Sequence, residues 1–169
     1  MGQPAIFQIV GYKNSGKTTL LSELIRYGNA KGNQVAVIKH HGHRTPLKPM
    51  KTSTDSDYLH QCGSLITTVT SPDSLQLQIN KELPLVRIIE WYKMLEPDVI
   101  FIEGYKQENY HKTVIIKDKE DIELLKLTKI QMVFTWDENL IPNLAVPVYN
   151  IHHWKEHIDE IYSTIEGGN

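Results

Sequence analysis

The chain has 169 residues, of which 40% are hydrophobic, with a formal net charge of −2 and a single cysteine. This length suits one domain around one core, and the near-neutral charge gives no broad basic surface, so we expect no nucleic-acid partner. One cysteine cannot form an internal disulfide. No apolar run is long enough to span a bilayer, and the first residues lack the layout of a secretory signal, so we expect a cytoplasmic protein that does not bind membranes.

The first pattern along the chain is a strand, a glycine-containing loop and a helix. The apolar stretch Ala5–Val10 predicts a buried strand, and leucines 20, 21 and 24 at helical spacing predict the helix. Between them runs GYKNSGKTT, from Gly11 to Thr19, which has the form G-x-x-x-x-G-K-[ST] of a phosphate loop. The sequence therefore predicts a single nucleotide-binding domain over residues 1–169.

Each part of this loop has a chemical role. Gly11 and Gly16 let the backbone turn and come close to phosphates, while the N–H groups at the helix N-terminus attract an anion. Lys17 would reach the β- and γ-phosphates, and the Thr18 hydroxyl would bind Mg²⁺. The predicted nucleotide ligands in this loop are Gly11, Lys13, Asn14, Ser15, Gly16, Lys17, Thr18 and Thr19.

A second short apolar run at 35–38 predicts the next parallel strand. The residues that follow it, at the edge where a parallel sheet binds ligands, are Lys39, His40, His41, His43 and Arg44. Three interpretations stay open. In the first, the histidines form a Zn²⁺ or Ni²⁺ site. In the second, the cluster donates hydrogen bonds to an anionic substrate or partner. In the third, the loop is solvated and has no specific role.

The middle of the chain predicts a short helix and a hairpin. Asp55 begins the helix, where it acts either as a cap or, through water, in a magnesium site. Residues 65–69 and 75–79 then read as two antiparallel strands on the sheet edge. Strict alternation in the second strand leaves one face for solvent or a partner, and an exposed edge favours a homodimer.

A helix between Pro84 and Pro97 precedes a buried strand at 99–102 with a carboxylate at each end. A rise of ~3.3 Å per residue puts Asp98 and Glu103 about 16 Å apart, at opposite edges of the sheet. Because nucleotides bind at the carboxyl ends of parallel strands, Glu103 is the candidate for the Mg²⁺ shell or for orienting the attacking water. Gly104 allows a close approach to the γ-phosphate. The alternative is a strand-end glutamate without a role.

Further strands are predicted at 113–116, 132–135 and 146–149, with a helix at 122–127 and another at the C-terminus. The predicted fold class is α/β, a P-loop NTPase-like, mostly parallel sheet flanked by helices, with an edge β-hairpin. Asp137 follows the strand at 132–135, where the base of the nucleotide is expected. Its carboxylate could accept from N1 and N2 of guanine, although the chain has no N-K-x-D motif.

Six segments carry a family resemblance, and they occur in the order GYKNSGKTTL, VIKHHGH, DSDYLHQCGS, VIFIEGYK, KTVIIKD and VFTWDENLIPNLAVPVYNI. From about Ala5 to the last helix, the chain resembles the molybdopterin-guanine dinucleotide biosynthesis protein B family, MobB. The resemblance implies a usually dimeric GTP-binding protein with slow hydrolysis, which assists attachment of GMP to molybdopterin together with the guanylyltransferase MobA. By position it implies family roles for the phosphate loop, Asp55, Glu103, Gly104 and Asp137.

An efficient hydrolase also needs a water-orienting residue and usually an arginine finger, and the sequence offers neither at a recognisable place. We therefore predict at most a slow GTPase, with Mg²⁺ as cofactor and with Lys17 and Glu103 as its catalytic residues. A small-molecule kinase, a metallochaperone that uses the histidine cluster, and a pure adaptor with a structural nucleotide are the alternatives. Among the arginines in mid-chain, only Arg44 and Arg87 are available for a kinase lid.

Overall fold

The structure is a computed structural model that describes residues 2–42 and 55–168. The chain divides into a larger unit, built from the residues up to Gly42 and from Ile89 onward, and a smaller unit between them. Each unit is described by itself below. Among the helices of the described residues, none has both the length and the apolar character needed to cross a membrane.

The strands and helices alternate along much of the chain, as predicted. The strands are β1 (Ala5–Val10), β2 (Val35–Lys39), β3 (Ile66–Thr70), β4 (Leu75–Ile79), β5 (Val99–Glu103), β6 (His111–Ile116), β7 (Ile130–Thr135) and β8 (Val148–Asn150). The α-helices are α1 (Lys17–Ala30), α2 (Asp55–Gln61), α3 (Leu85–Lys93) and α4 (Ile158–Glu166). Shorter 3₁₀ helices cover Lys119–Lys126, Glu138–Leu140 and Trp154–His157.

The larger unit contains a six-stranded sheet in the order β2-β5-β1-β6-β7-β8, in which every neighbouring pair is parallel. The predicted α/β fold with a mostly parallel sheet is confirmed. Across the sheet, Glu103 on β5 lies level with Lys39 on β2 and with Ile9 on β1. The loops that leave these three strands therefore meet at one edge.

Apolar residues cover both faces of this sheet. One core cluster joins α1 and α4 to the strands and includes Phe7, Phe101 and Phe134, while the other includes Val114 and Val133. All five residues of β5 are buried, so the strand shows no alternation of apolar and polar residues. Its final residue is Glu103, which is thereby placed at the rim of a buried strand.

The smaller unit contains α2 and an antiparallel pair formed by β3 and β4, in which Ile66 lies opposite Ile79. The predicted hairpin is confirmed, and it forms a two-stranded sheet of its own rather than adding to the edge of the six-stranded sheet. Several of its apolar side chains are exposed, among them Val69, Leu75 and Leu77. A two-stranded sheet of five residues a strand is too small to bury both of its faces by itself.

Differences from the sequence prediction lie mainly at element ends. The helix predicted at 122–127 is the 3₁₀ helix Lys119–Lys126, and it starts at a capping box between Asp118 and Asp121. The last strand is Val148–Asn150 rather than 146–149, because Pro147 has no N–H to donate to a sheet. These shifts leave the order of elements unchanged.

Candidate functional site

The phosphate loop connects β1 to α1 and turns tightly between them. Asn14 and Gly16 have positive φ angles of 62° and 102°, and Gly16 is the N-cap of α1. A Cβ atom on Gly11 would lie 2.5 Å from the Ser15 hydroxyl oxygen, so a side chain at this position would displace the buried Ser15. Gly16 is therefore favoured by its backbone conformation and Gly11 by the space that Ser15 occupies, in agreement with the motif.

The loop folds the predicted phosphate-binding lysine over its own backbone. Lys17 Nζ donates to the carbonyl oxygen of Tyr12 at 2.6 Å. Burial lowers the pKa of Lys17 from its ordinary value, and the negative charge of Glu103 partly offsets this effect. An ammonium group that has lost part of its hydration gains more from a phosphate anion than one in open water.

Three side chains meet beyond Lys17 at the ends of α1, β2 and β5. The hydroxyl oxygen of Thr18 lies 3.4 and 3.3 Å from the two carboxylate oxygens of Glu103. Lys39 Nζ lies 3.1 Å from one of these oxygens and 3.2 Å from the Thr18 hydroxyl. The structure thus brings together both predicted magnesium ligands of the larger unit, and it adds a lysine that the sequence suggested for substrate or partner contacts.

The oxygens of Thr18 and Glu103 suit Mg²⁺ in kind and in spacing. Mg²⁺ takes oxygen ligands at ~2.1 Å in an octahedron, so two adjacent ligands stand about 3.0 Å apart. The observed separations of 3.3 and 3.4 Å are close to that value. The pair therefore fits a shared magnesium ion.

The turn after β5 is held by hydrogen bonds from Gln8 and by stacking with His40. Gln8 Nε2 donates to the carbonyl oxygens of Gly104 at 2.8 Å and of Tyr105 at 2.5 Å. The His40 ring stacks on Tyr105 with 4.3 Å between ring centroids, and a Cβ on Gly104 would lie 3.0 Å from that of His40. In the sequence, Gln8 stands within an otherwise apolar stretch, and a polar residue inside a buried strand is a signal for such a contact.

The loop after β7 contacts the phosphate loop through a residue that the sequence did not single out. Trp136 Nε1 donates to the carbonyl oxygen of Ser15 at 2.9 Å. The Trp136 and His152 rings pack at 90° to each other, and Lys117 Nζ lies 5.7 Å from the centroid of the Trp136 ring. One side of the phosphate loop therefore has an aromatic wall.

The Asp137 carboxylate, predicted to contact guanine, makes local contacts. One oxygen accepts from the backbone nitrogen of Asn139 at 2.9 Å and from its side-chain nitrogen at 2.8 Å. These bonds cap the 3₁₀ helix Glu138–Leu140. Asp137 lies directly after Trp136, and its contact with a base stays a prediction.

A second lysine, Lys106, lies close to the phosphate loop at Tyr12. Lys106 Nζ stands 3.3 Å from the centroid of the Tyr12 ring, and burial lowers the pKa of Lys106. The Tyr12 hydroxyl donates to Glu123. Lys106 is the last residue of the segment VIFIEGYK, but its approach to Tyr12 could not be predicted, because it depends on the turn after Gly104.

The remaining predicted residues are placed as follows. Lys13 and Thr19 are exposed, and His41 follows β2 near Gly42, the last described residue before the gap. Asp55 begins α2 in the smaller unit, and its part in a magnesium site stays a prediction. His43 and Arg44 lie outside the described residues. Within residues 2–42 and 55–168, no group of three or more His, Cys, Asp or Glu side chains is arranged to hold a metal ion.

The parallel sheet and the loop between β1 and α1 define the class of P-loop NTPase-like proteins. The family model for MobB, molybdopterin guanine dinucleotide synthesis protein B, matches residues 6–136. The chain therefore belongs to the MobB family.

Individual relatives agree with this assignment. A probable molybdopterin-guanine dinucleotide biosynthesis adapter protein of Bacillus subtilis is 34% identical over 146 residues, which are 86% of this chain and 84% of the relative. The crystal structure of Bacillus subtilis MobB superposes with a TM-score of 0.84 at 30% identity and covers 95% of this chain and 97% of its own. A MobB homologue from Bacillus stearothermophilus gives 0.79 at 30% identity, with 96% and 99% covered.

Proposed function

We propose that this protein is a GTP-binding adapter in molybdopterin-guanine dinucleotide biosynthesis, which hydrolyses GTP slowly and acts as a homodimer together with the guanylyltransferase MobA. The observation that carries the nucleotide part is the meeting of Thr18 and Glu103 next to the phosphate loop. The adapter part rests on the family, whose relatives bear that name.

Phosphate binding would use the loop backbone and Lys17. The first N–H groups of α1 have no partner within the helix and point toward its N-terminus, where the loop wraps. The Lys17 ammonium lies within hydrogen-bond distance of the loop backbone, so it needs only a small shift to reach a phosphate placed in the loop. Triphosphate binding would replace one carbonyl contact with a stronger charged one.

Magnesium would be held by Thr18 and Glu103. When bound, Mg²⁺ neutralises charge on the β- and γ-phosphates. Glu103 is 7% exposed, so its carboxylate is shielded from water and is oriented by the Thr18 hydroxyl. The chain thus contributes a preformed pair of oxygen ligands, from Thr18 and Glu103, at the N-terminal end of α1.

Slow hydrolysis follows from the side chains near this pair. The side-chain amide of Gln8 donates to the carbonyl oxygens of Gly104 and Tyr105, so it does not orient a water at the γ-phosphate. Arg26 pairs with Glu23 on the exposed surface of α1. The contacts to Glu103 come from a lysine and a threonine, which favours a protein that holds GTP over one that consumes it rapidly.

Base selection and assembly complete the proposal. Trp136 and Asp137 would face the purine, with the aspartate accepting from guanine after it leaves Asn139. The exposed apolar side chains of the hairpin, Val69, Leu75 and Leu77, favour a homodimer, since unpaired strand edges tend to find partners.

Calorimetry with Mg·GTP and Mg·ATP tests the proposal directly. We expect GTP to bind and ATP to bind more weakly, and Lys17→Ala to abolish tight binding. Lys31→Ala is the matched control, because Lys31 pairs with Glu166 at the far end of α1. Absence of any purine triphosphate binding at millimolar concentration would overturn the nucleotide part. Co-purification with MobA, with and without GTP, tests the adapter part.

A further inference from the structure

We propose that the Lys39 ammonium is a built-in competitor for the magnesium site, which it occupies in the nucleotide-free protein and leaves when Mg·GTP binds. This inference rests on the proposed function and extends it to the control of metal binding. The geometry behind it is that Lys39 contacts the same two side chains that would hold the ion.

The ammonium and the ion would contact the same two oxygens. Lys39 Nζ lies 3.1 Å from a Glu103 carboxylate oxygen and 3.2 Å from the Thr18 hydroxyl oxygen. A magnesium ion bound to both oxygens would stand ~2.1 Å from each, and therefore within ~4 Å of the ammonium nitrogen. Two cations at that distance repel each other, so ion binding favours withdrawal of the ammonium.

The two partners of the ion pair differ in their freedom to move. Glu103 has a side chain only 7% exposed at the end of a buried strand, whereas that of Lys39 is 57% exposed. Lys39 is also the last residue of β2, which is an edge strand of the sheet. The carboxylate is therefore fixed, and the flexible lysine stem can swing into solvent or toward the γ-phosphate.

A resident cation also explains how the carboxylate is tolerated in the nucleotide-free protein. A shielded carboxylate without a positive partner is costly, so an ion or an ammonium has to compensate for it. Lys17 contributes only at longer range, because its ammonium donates to the Tyr12 carbonyl. Lys39 supplies the direct contact, and it thereby lowers the affinity for a divalent cation until phosphate oxygens add further ligands.

Mn²⁺ binding, followed by electron paramagnetic resonance of the free ion in nucleotide-free protein, tests this inference. We expect Lys39→Met to bind Mn²⁺ about two- to fivefold more tightly than the native chain, because an ion pair with an exposed lysine is worth a factor of about that size. Lys39→Arg retains a cation and should stay close to the native affinity. Lys31→Met, which removes a lysine from an exposed pair at the other end of α1, should also leave it unchanged.

The Glu103→Gln background distinguishes competition at the shared carboxylate from a general effect of removing a positive charge. In that background Lys39→Met should no longer strengthen Mn²⁺ binding, because the shared carboxylate is gone. An equal gain in both backgrounds, or a Lys39→Met affinity no higher than that of Lys31→Met, would overturn the competition. If the native chain binds Mg·GTP while these results are negative, only this inference fails. If it binds no purine triphosphate, the proposed function itself fails.

Discussion

The indole nitrogen of Trp136 donates a hydrogen bond to the backbone carbonyl of Ser15, with 2.9 Å between Nε1 and the oxygen. This bond joins the loop after β7 to the middle of the phosphate loop, 121 residues earlier in the chain. A shift of the phosphate loop at Ser15 would therefore change the surroundings of the Trp136 ring.

We expect GTP to change the tryptophan fluorescence of the protein through Trp136, because its partner Ser15 belongs to the loop that would take up the phosphates. The change should persist in Trp91→Phe and disappear in Trp136→Phe. Losing the bond to Ser15 should also weaken GTP binding about three- to tenfold, since a hydrogen bond contributes ~0.5–1.5 kcal/mol. An undiminished fluorescence change in Trp136→Phe would contradict this prediction.

Replacing Gln8 should destabilise the turn that follows β5. Gln8→Leu removes two hydrogen bonds to the carbonyls of Gly104 and Tyr105, and we expect a loss of ~1–3 kcal/mol in the free energy of unfolding. Gln8→Glu should cost more, because it turns an acceptor toward two carbonyl oxygens in a buried place. Urea unfolding measures both. Equal stability of the native chain and Gln8→Glu would show that the turn does not depend on this amide.

Gly28→Ala should destabilise the packing of α1 on α4. A Cβ at position 28 would overlap the Tyr162 hydroxyl and lie 3.0 Å from a methyl of Val35. Overpacking of this kind costs ~1–3 kcal/mol, which thermal unfolding can detect. Tyr162→Phe removes the overlapping oxygen, so the Gly28→Ala penalty should be smaller in that background. A penalty of the same size in both backgrounds would exclude the hydroxyl as the cause.

GTP affinity should fall at alkaline pH through Lys17. Burial holds the pKa of Lys17 in the free protein below its ordinary 10.5, and a bound phosphate would raise it again. GTP binding therefore takes up a proton at pH values between the pKa of Lys17 in the free protein and its higher pKa in the complex. GTP affinity decreases as the pH rises through the pKa of the free protein. The stability of the nucleotide-free protein changes with pH in the opposite direction. The lowered pKa of Lys17 reduces the free energy of unfolding at neutral pH, and this loss disappears as the pH approaches the ordinary value of 10.5.

Calorimetry in buffers of different ionisation enthalpy measures the proton uptake. Lys106→Met is the control, because burial also lowers the pKa of Lys106, which lies beside Tyr12. Proton uptake should persist in this variant. If it vanishes there, Lys106 rather than Lys17 is the group that titrates.

The sequence predicts the sheet and the phosphate loop because both depend on local patterns. The choice of Glu103 over Asp98 also needed only the rise of a strand and the polarity of a parallel sheet. Asp98 indeed lies at the other edge, where its carboxylate accepts from the backbone nitrogen of Gln34 at 2.7 Å. The placing of both carboxylates thus depends on one strand and its direction in the sheet.

The remaining contacts depend on how strands and loops pair. The contact of Lys39 with Glu103 requires β2 to lie beside β5 in a particular register, and that of Trp136 with Ser15 requires two distant loops to converge. The sequence predicts a ligand contact for Asp137, but in the structure its carboxylate accepts a hydrogen bond from Asn139, two residues away. Positions along the chain do not determine these pairings.

The pairing of Lys39 with Glu103 has a consequence for how the sheet assembles. Among the described residues β2 pairs with β5 alone, and a slip of one residue would turn Lys39 to the opposite face. The glutamate would then be shut away from water with its nearest counter-ion lost. Misaligned forms of the sheet thus carry an electrostatic penalty, so the ion pair between Lys39 and Glu103 also favours the native register of β2 on β5.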